Sequence, residues 1–374
     1  MTLRILHLLP STAEAAAGLA TAVNSLVDAQ RSQGLDVQVL AADAAPRLRR
    51  ASALVAAARS GFAPASLVHS HGLWLASSRA SLRLRRSGLP TVVAPHGMLD
   101  PWAMGRRRAL KQLLWWAGER ATVQRASCVQ ALCTAEREAI RALGITAPIA
   151  LIPNGVVLPD LSPAARAALP PPPWLAHGVP AGAPVLLFLG RFHVKKGIEP
   201  LLSAWQRLQQ QRPSEAWLVL AGFGDGGALA QRLAATPIPR VRVIGAVQGE
   251  AKASAFAHAS GFVLPSFSEG LPMAALEAMS WGLPCLLSSA CNLPAAFAAG
   301  AAWQAPPDAE RLLPVLGHWL EAASADPAAL AAMGAAGQAL VASQFSWTQV
   351  AAQTAQLYGW LLGEAERPGF VEEG

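Results

Sequence analysis

An α/β fold of two doubly wound parallel-sheet domains is the architecture this sequence predicts, and three observations predict it. Short apolar runs alternate with segments of helical spacing along almost the whole chain, the pattern of βα units and a parallel sheet. A Pro- and Ala-rich stretch, 161–183, with Leu169-Pro-Pro-Pro-Pro-Trp174 at its centre, interrupts that alternation once. At 374 residues the chain is long enough for a domain of ordinary size on either side of the interruption.

In the first half, Leu3–Leu9, Val37–Leu40, Ser66–His69, Thr91–Ala94, Ser127–Leu132 and Ile149–Ile152 read as strands. The segment between the first two has helical spacing from Leu19 and ends on Gly34, a C-cap signal. In the second half, Val185–Leu189, Ala216–Ala221, Val241–Ile244, Gly261–Leu264 and Cys285–Ser288 read as strands, and helices dominate thereafter. The expected division is an N-terminal domain over 1–160, a linker over 161–183 and a second domain over 184–345. A C-terminal helix and tail over 346–374 would pack back on the first domain. Two doubly wound domains facing a cleft would bring both sets of strand ends to one ligand.

Composition narrows the class. Hydrophobic residues make up 53% of the chain, yet no run of 18 uninterrupted apolar residues occurs, which argues against a membrane-spanning helix. Met1–Pro10 is too short for a secretion signal and reads as a first buried strand. Cys128, Cys133, Cys285 and Cys291 match neither a disulfide framework nor a zinc spacing, and so read as reduced core residues of a cytoplasmic protein. The net charge of +7 is uneven: the first 150 residues carry 18 Lys and Arg against 8 Asp and Glu, the remainder 12 against 15. Such asymmetry points the first half at an anionic surface. With no aromatic-interleaved basic motif or helix-turn-helix pattern, lipid headgroups fit better than nucleic acid. Basic clusters fall at Arg47–Arg50, Arg83–Arg86 and Arg106–Lys111, the last followed by Leu113, Leu114, Trp115 and Trp116. Cations beside aromatics suit a membrane interface. They equally suit a solvated helix whose tryptophans belong to the core.

Four segments carry chemistry. In Pro265-Ser-Phe-Ser-Glu-Gly-Leu-Pro-Met-Ala-Ala-Leu-Glu277, Glu269 stands in a strand-to-helix turn and Glu277 lies along the helix that follows, with Pro272 at its first turn. Helix-end N–H groups between two carboxylates suit a diphosphate with hydroxyl-bearing sugars at its ends. The pair also fits a capped, solvated helix start. In Pro184–Trp205 an apolar strand runs into a basic loop carrying Arg191 and Lys196, at the strand edge where open α/β sheets bind ligands. A guanidinium and an ammonium there would neutralise a diphosphate leaving group. In Thr91–Trp102 a strand ends at Pro95 and His96-Gly97 falls on its C-terminal edge, although a lone histidine is more often structural. His69-Ser-His71-Gly-Leu-Trp74 lacks a third metal ligand; His71 and Trp74 read as lining the acceptor side of the cleft or as a plain strand end.

Together, the basic loop, the Glu269–Glu277 spacing and the α/β pattern resemble the retaining nucleotide-sugar glycosyltransferases of family 4, which have the GT-B fold. The resemblance spans nearly the whole chain and is strongest from Pro184 to Ser288. It implies catalytic roles for Glu269, His96, Arg191 and Lys196. It also implies a donor site of Gly18, Arg191, Lys196, Glu269, Gly270, Leu271, Met273 and Glu277, in which Glu277 holds the ribose hydroxyls and Glu269 the donor sugar. His96 would contact a sugar hydroxyl. Such enzymes usually carry a glycine pair after the first strand, where this chain has Ala17-Gly18. The string His96-Gly-Met-Leu-Asp-Pro-Trp102 resembles transferases of cell-surface polysaccharide assembly, lipopolysaccharide included. No metal and no cofactor is implied, the nucleotide diphosphate sugar being co-substrate, and the sequence has no Asp-x-Asp. The implied partners are that donor and a saccharide or lipid-linked saccharide acceptor. The implied setting is the cytoplasm, peripheral on the inner face of the membrane. Rival readings are a nucleotide-sugar epimerase or hydrolase on the same fold, a noncatalytic sugar- or lipid-binding protein, and a dinucleotide-dependent oxidoreductase. The last is disfavoured because no Gly-x-Gly-x-x-Gly follows Leu3–Leu9.

Overall fold

The computed structural model describes residues 4–11, 17–44, 49–60, 66–105, 107–224 and 226–374. The chain divides into two compact units, the first Met1–Gly155 with Phe345–Gly374 and the second Val156–Gln344.

Among the described residues, unit 1 holds strands β1 (Arg4–Leu9), β2 (Asp36–Ala41), β3 (Leu67–His71), β4 (Thr91–Ala94), β5 (Cys128–Ala131) and β6 (Ile149–Leu151). Unit 2 holds β7 (Val185–Leu189), β8 (Trp217–Ala221), β9 (Val241–Gly245), β10 (Gly261–Leu264), β11 (Cys285–Leu287) and β12 (Ala302–Gln304); β13 (Val371–Glu372) returns to unit 1. Central strands such as β1, β7 and β8 are almost wholly buried, as mostly apolar runs are when helices cover both faces of a sheet, and β3 is equally buried although it ends on His69-Ser-His71.

Sheet order decides where ligands can enter. Unit 2 runs β12-β11-β10-β7-β8-β9, all parallel, so the chain first winds one way from β7 and then restarts on its other side at β10. That is the doubly wound mononucleotide order, with its crevice where the winding reverses, between the loops after β7 and β10. Unit 1 runs β13-β6-β5-β4-β3-β1-β2, with its reversal between β1 and β3 and only β13 antiparallel.

Several details differ from the sequence reading. The stretch 161–183 is not a spacer. It lies inside unit 2, where Trp174 is 2% exposed, Ser254 Oγ donates to Pro170 O at 2.6 Å and Arg242 Nε donates to His177 O at 2.9 Å. Polyproline composition signals extended backbone, yet the stretch turns helical at Pro163–Ala167 and again at Pro173–His177, and it is pinned by side chains from elsewhere. The short edge strands β12 and β13 escaped notice because two or three residues carry no periodicity. The Ala-rich helical stretch Pro327–Phe345, with mean hydropathy 1.2, is long and apolar enough by composition to cross a membrane. In the structure it packs inside unit 2. A Cβ on Gly334 would lie 2.0 Å from Gly282 O, and one on Gly337 would lie 3.2 Å from Met279. All four cysteines are free and buried, and burial pushes the thiols of Cys128 and Cys291 up to about 12.

Candidate active site

In unit 2 the loops after β7 and β10 are held against each other by backbone. Gly197 adopts a φ of +68°, and a Cβ there would sit 1.9 Å from Pro265 O, so only glycine allows the approach. Phe267 N donates to Lys195 O at 2.7 Å across the same seam. This contact carries Lys196 to Glu269, with Nζ–Oε1 at 2.5 Å; Ser266 Oγ donates to the same oxygen at 2.6 Å, and Lys195 Nζ lies 3.8 Å from Oε2. Glu269 is 7% exposed, and its backbone is fixed at both ends. Its N donates to Ala290 O at 3.1 Å, while Asn292 Nδ2 donates to the carbonyls of Glu269 and Gly270 at 2.7 and 3.0 Å. Arg191 is exposed and makes no ion pair or hydrogen bond among the described residues.

Two cations, Lys195 and Lys196, thus face one carboxylate, with the exposed Arg191 guanidinium on the same loop, and the excess positive charge suits an anion with two or more negative charges. Gly270 and Leu271 form the turn into the helix Met273–Ser280, on which Glu277 pairs with Lys252 at 2.7 Å rather than with the basic loop. A cavity of about 520 Å³ borders the same loop through His193 and Val194, but Arg191, Lys196, Glu269 and Glu277 do not line it.

Unit 1 builds a different constellation. His7 on β1 and His69 and His71 on β3 are all within 1% of complete burial; the His71 ring stacks on both His7 and His69, and the three ring centroids lie 4.3–5.1 Å apart. His7 Nδ1 lies 2.8 Å from His71 Nε2, and His71 Nδ1 lies 2.9 Å from His96 Nε2. His7 Nε2 lies 3.0 Å from Gln30 Oε1, whose amide nitrogen donates to Thr354 Oγ1 at 2.9 Å and Tyr358 OH at 3.1 Å. Tyr358, the only tyrosine in the chain, also lies 2.7 Å from His69 Nδ1. Burial holds His7 and His96 down to about 4 and His69 and His71 well below the usual imidazole range, so all four are neutral near pH 7. His96 itself sits in the left-handed region at φ +53°, a strained conformation of the kind that marks functional turns. Glu136 clamps this turn, accepting from Gly97 N at 2.6 Å and Leu132 N at 2.8 Å.

The chain has counterparts among known proteins. Residues 183–321 match the family described as glycosyl transferases group 1, and residues 47–155 match the glycosyl transferase 4-like domain. A D-inositol 3-phosphate glycosyltransferase of Streptomyces scabiei is 31% identical over 78% of this chain and 67% of its own length. The chain belongs to the group 1, family 4 glycosyltransferases.

Two solved structures extend the likeness in fold. Sucrose-phosphate synthase of Thermosynechococcus elongatus has a TM-score of 0.74 at 22% identity, covering 97% of this chain and all of that one. HepE of Anabaena in complex with UDP-glucose has a TM-score of 0.69 at 18% identity, covering 96% and 100%. The fold of this glycosyltransferase is accordingly GT-B, with two Rossmann-like parallel-sheet domains, and the protein is an enzyme of a nucleotide-sugar-dependent class.

Within this transferase the structure gathers Lys196, Glu269 and Gly270 at one seam, with Arg191 on the same loop. Leu271 and Met273 lead into the helix, and Glu277 is held apart by Lys252. Gly18 lies in the helix Ala17–Ser32, with open space where a Cβ would be, while the preceding residues 12–16 lie outside the described residues. Two readings need correction. His71 is 1% exposed with both ring nitrogens engaged, so it cannot line an acceptor site. The third imidazole missing near His69-x-His71 comes from His7 on β1, and one nitrogen from each ring lies within 4.8 Å of the others. Those rings are already hydrogen-bonded within the network, two of them to each other. Trp74 is partly buried beside Trp115 at a φ of +68°. His7, Gln30, Tyr358 and Asn292 carried no local signal, their partners lying 22 to more than 300 positions away in the chain, whereas Lys195 adjoins Lys196 and Ser266 lies three positions before Glu269, inside segments that the sequence does single out.

Proposed function

We propose that the protein is a retaining transferase. It moves a sugar from a nucleoside diphosphate sugar to a saccharide carried on a lipid, in cell-surface polysaccharide assembly at the inner face of the membrane. The observation that carries the donor half is the Lys196–Glu269 pair at the winding reversal of unit 2. When donor enters, its diphosphate replaces Glu269 as the partner of Lys196, and Glu269 is released to accept hydroxyl protons of the sugar. The bond between the anomeric carbon and the diphosphate oxygen breaks and the electron pair leaves with the diphosphate. A bond forms to the acceptor oxygen, and the proton of that hydroxyl passes to the departing diphosphate oxygen. Arg191 and Lys196 stabilise the charge that develops on the leaving oxygen, an electrostatic role that needs no divalent ion. Glu277 takes the ribose hydroxyls and His96 a sugar hydroxyl, as the family resemblance implies.

For the acceptor half, the helix Arg108–Leu114 has no buried residue, and Leu110, Leu113 and Trp116 are 48%, 67% and 73% exposed. Arg107 and Arg108 stand beside them, and Arg120 lies over the Trp116 ring at 5.6 Å. Trp115, by contrast, is core at 5% exposed, so one tryptophan of the pair supports a membrane-facing surface and the other does not. Arg106 lies outside the described residues, as do Arg47 and Leu48 of the first basic cluster. An apolar ridge flanked by arginines fits an anionic leaflet, where lipid-linked acceptors reside.

The test is product analysis with a panel of nucleotide sugars and a short saccharide lipid, with and without chelator. The reading expects full turnover in chelator and an unchanged anomeric configuration. Turnover restored only by magnesium, an inverted product, or epimerised donor without acceptor would each overturn it.

A further inference from the structure

The hydrogen-bond chain in unit 1 has a direction that the groups at its inner end dictate. Thr354 Oγ1 donates to Ala351 O at 2.9 Å, and a carbonyl can only accept. The Thr354 hydroxyl, having committed its proton, must accept from Gln30, which puts the amide nitrogen on that side, 2.9 Å away. Gln30 Oε1 therefore faces His7 and accepts from His7 Nε2–H at 3.0 Å. A neutral imidazole has one donor and one acceptor. His7 Nδ1 therefore accepts from His71 Nε2–H at 2.8 Å, and His71 Nδ1 accepts from His96 Nε2–H at 2.9 Å. Each ring hands the same polarity to the next, and turning the Gln30 amide over would reverse every proton in the chain.

We propose that this polar chain, from Ala351 and Thr354 through Gln30, His7 and His71, holds His96 as its Nε2–H tautomer, so that Nδ1 stands as a hydrogen-bond acceptor. The strained turn and the Glu136 clamp at Gly97 fix the ring's position; the buried chain fixes its protonation. The residues that set the tautomer, Gln30 and Thr354, are positioning residues, since they act only through His7 and His71. The chemical class recognised is a hydroxyl that donates. An ether, a fluorine or a carboxylate at the same place would meet a lone pair. That the hydroxyl belongs to the donor sugar rests on the proposed function; the tautomer does not.

The test needs no substrate. Protein labelled with nitrogen-15 at histidine is read by long-range proton–nitrogen correlation, which distinguishes the two neutral tautomers and the imidazolium. Wild type is expected to show His7, His71 and His96 each as a single Nε2–H species. Gln30→Leu and His71→Phe, each checked for native thermal unfolding, are expected to turn the His96 signals into a mixture of both tautomers. His96 carrying its proton on Nδ1 in wild type would overturn the inference. So would a pure Nε2–H His96 in both folded variants, or stoichiometric metal bound to the three histidines by elemental assay. Because the wild-type spectrum decides on its own, a variant that fails to fold leaves the inference refutable. A transferase with an unexpected donor leaves it intact.

Discussion

In unit 2 the winding reversal of the sheet carries charge, with Lys195 and Lys196 against Glu269; in unit 1 the corresponding reversal carries three neutral imidazoles, linked to a fourth, His96, after β4. The lysines are partly open to solvent, at 27% and 14%, whereas His7, His69 and His71 are sealed. Under the proposed function, the open edge is what allows a lysine to trade a carboxylate for a diphosphate at little desolvation cost. A sealed edge cannot tolerate charge, so it can only order protons. The same topological feature thus carries a charged, partly open pair in one unit and a sealed, uncharged network in the other.

The sharpest way to break this comparison is Lys196→Ala. Losing a charge-assisted contact to a leaving group costs about 2–4 kcal/mol, roughly a hundredfold or more in turnover. Steady-state kinetics on protein with unchanged circular dichroism would reject the donor assignment if turnover stayed at the wild-type level. Acid comes next. His7 takes a proton near pH 4 in the folded state and at 6.5 when unconstrained, so the unfolded chain binds more protons between those values. Its contribution is whole above pH 6.5 and is lost as pH falls towards 4, by roughly 3 kcal/mol at most. Thermal unfolding of wild type against His7→Gln across that window should converge as pH drops; parallel curves would show that the imidazole is not sealed. Smallest is the membrane effect, about 1 kcal/mol for each well-placed cation and fading as salt screens it. Replacing Arg107 and Arg108 with Ser should weaken cosedimentation with anionic liposomes at low salt, and Leu113→Ser with Trp116→Ser should remove the salt-resistant part. Wild type that ignores such liposomes would mark the ridge as a plain solvated face.

What the sequence by itself determined is local. Apolar runs of four or more residues between helical spacings are enough to name most of the strands, because a strand buried on both faces is mostly apolar, and so the α/β class was legible. Arg191, Lys196 and Glu269 were legible for a related reason: each lies within a few residues of a strand end, and strand ends are where such sheets bind ligands. The tertiary structure alone decided the rest. His7 sits mid-strand in an apolar run, Gln30 on a helix and Tyr358 more than 300 residues further on, and none has a neighbour in sequence that betrays its partner. It also decided that His71 is spent inside the protein, that Trp115 is core while Trp116 is surface, and that the Pro-rich stretch 161–183 is packed rather than free. The physical reason is common to all of these. Burial and hydrogen bonding across β1, β3, β4 and the returning C-terminal helix are properties of which elements become neighbours, and a chain's local pattern specifies the elements without specifying that adjacency.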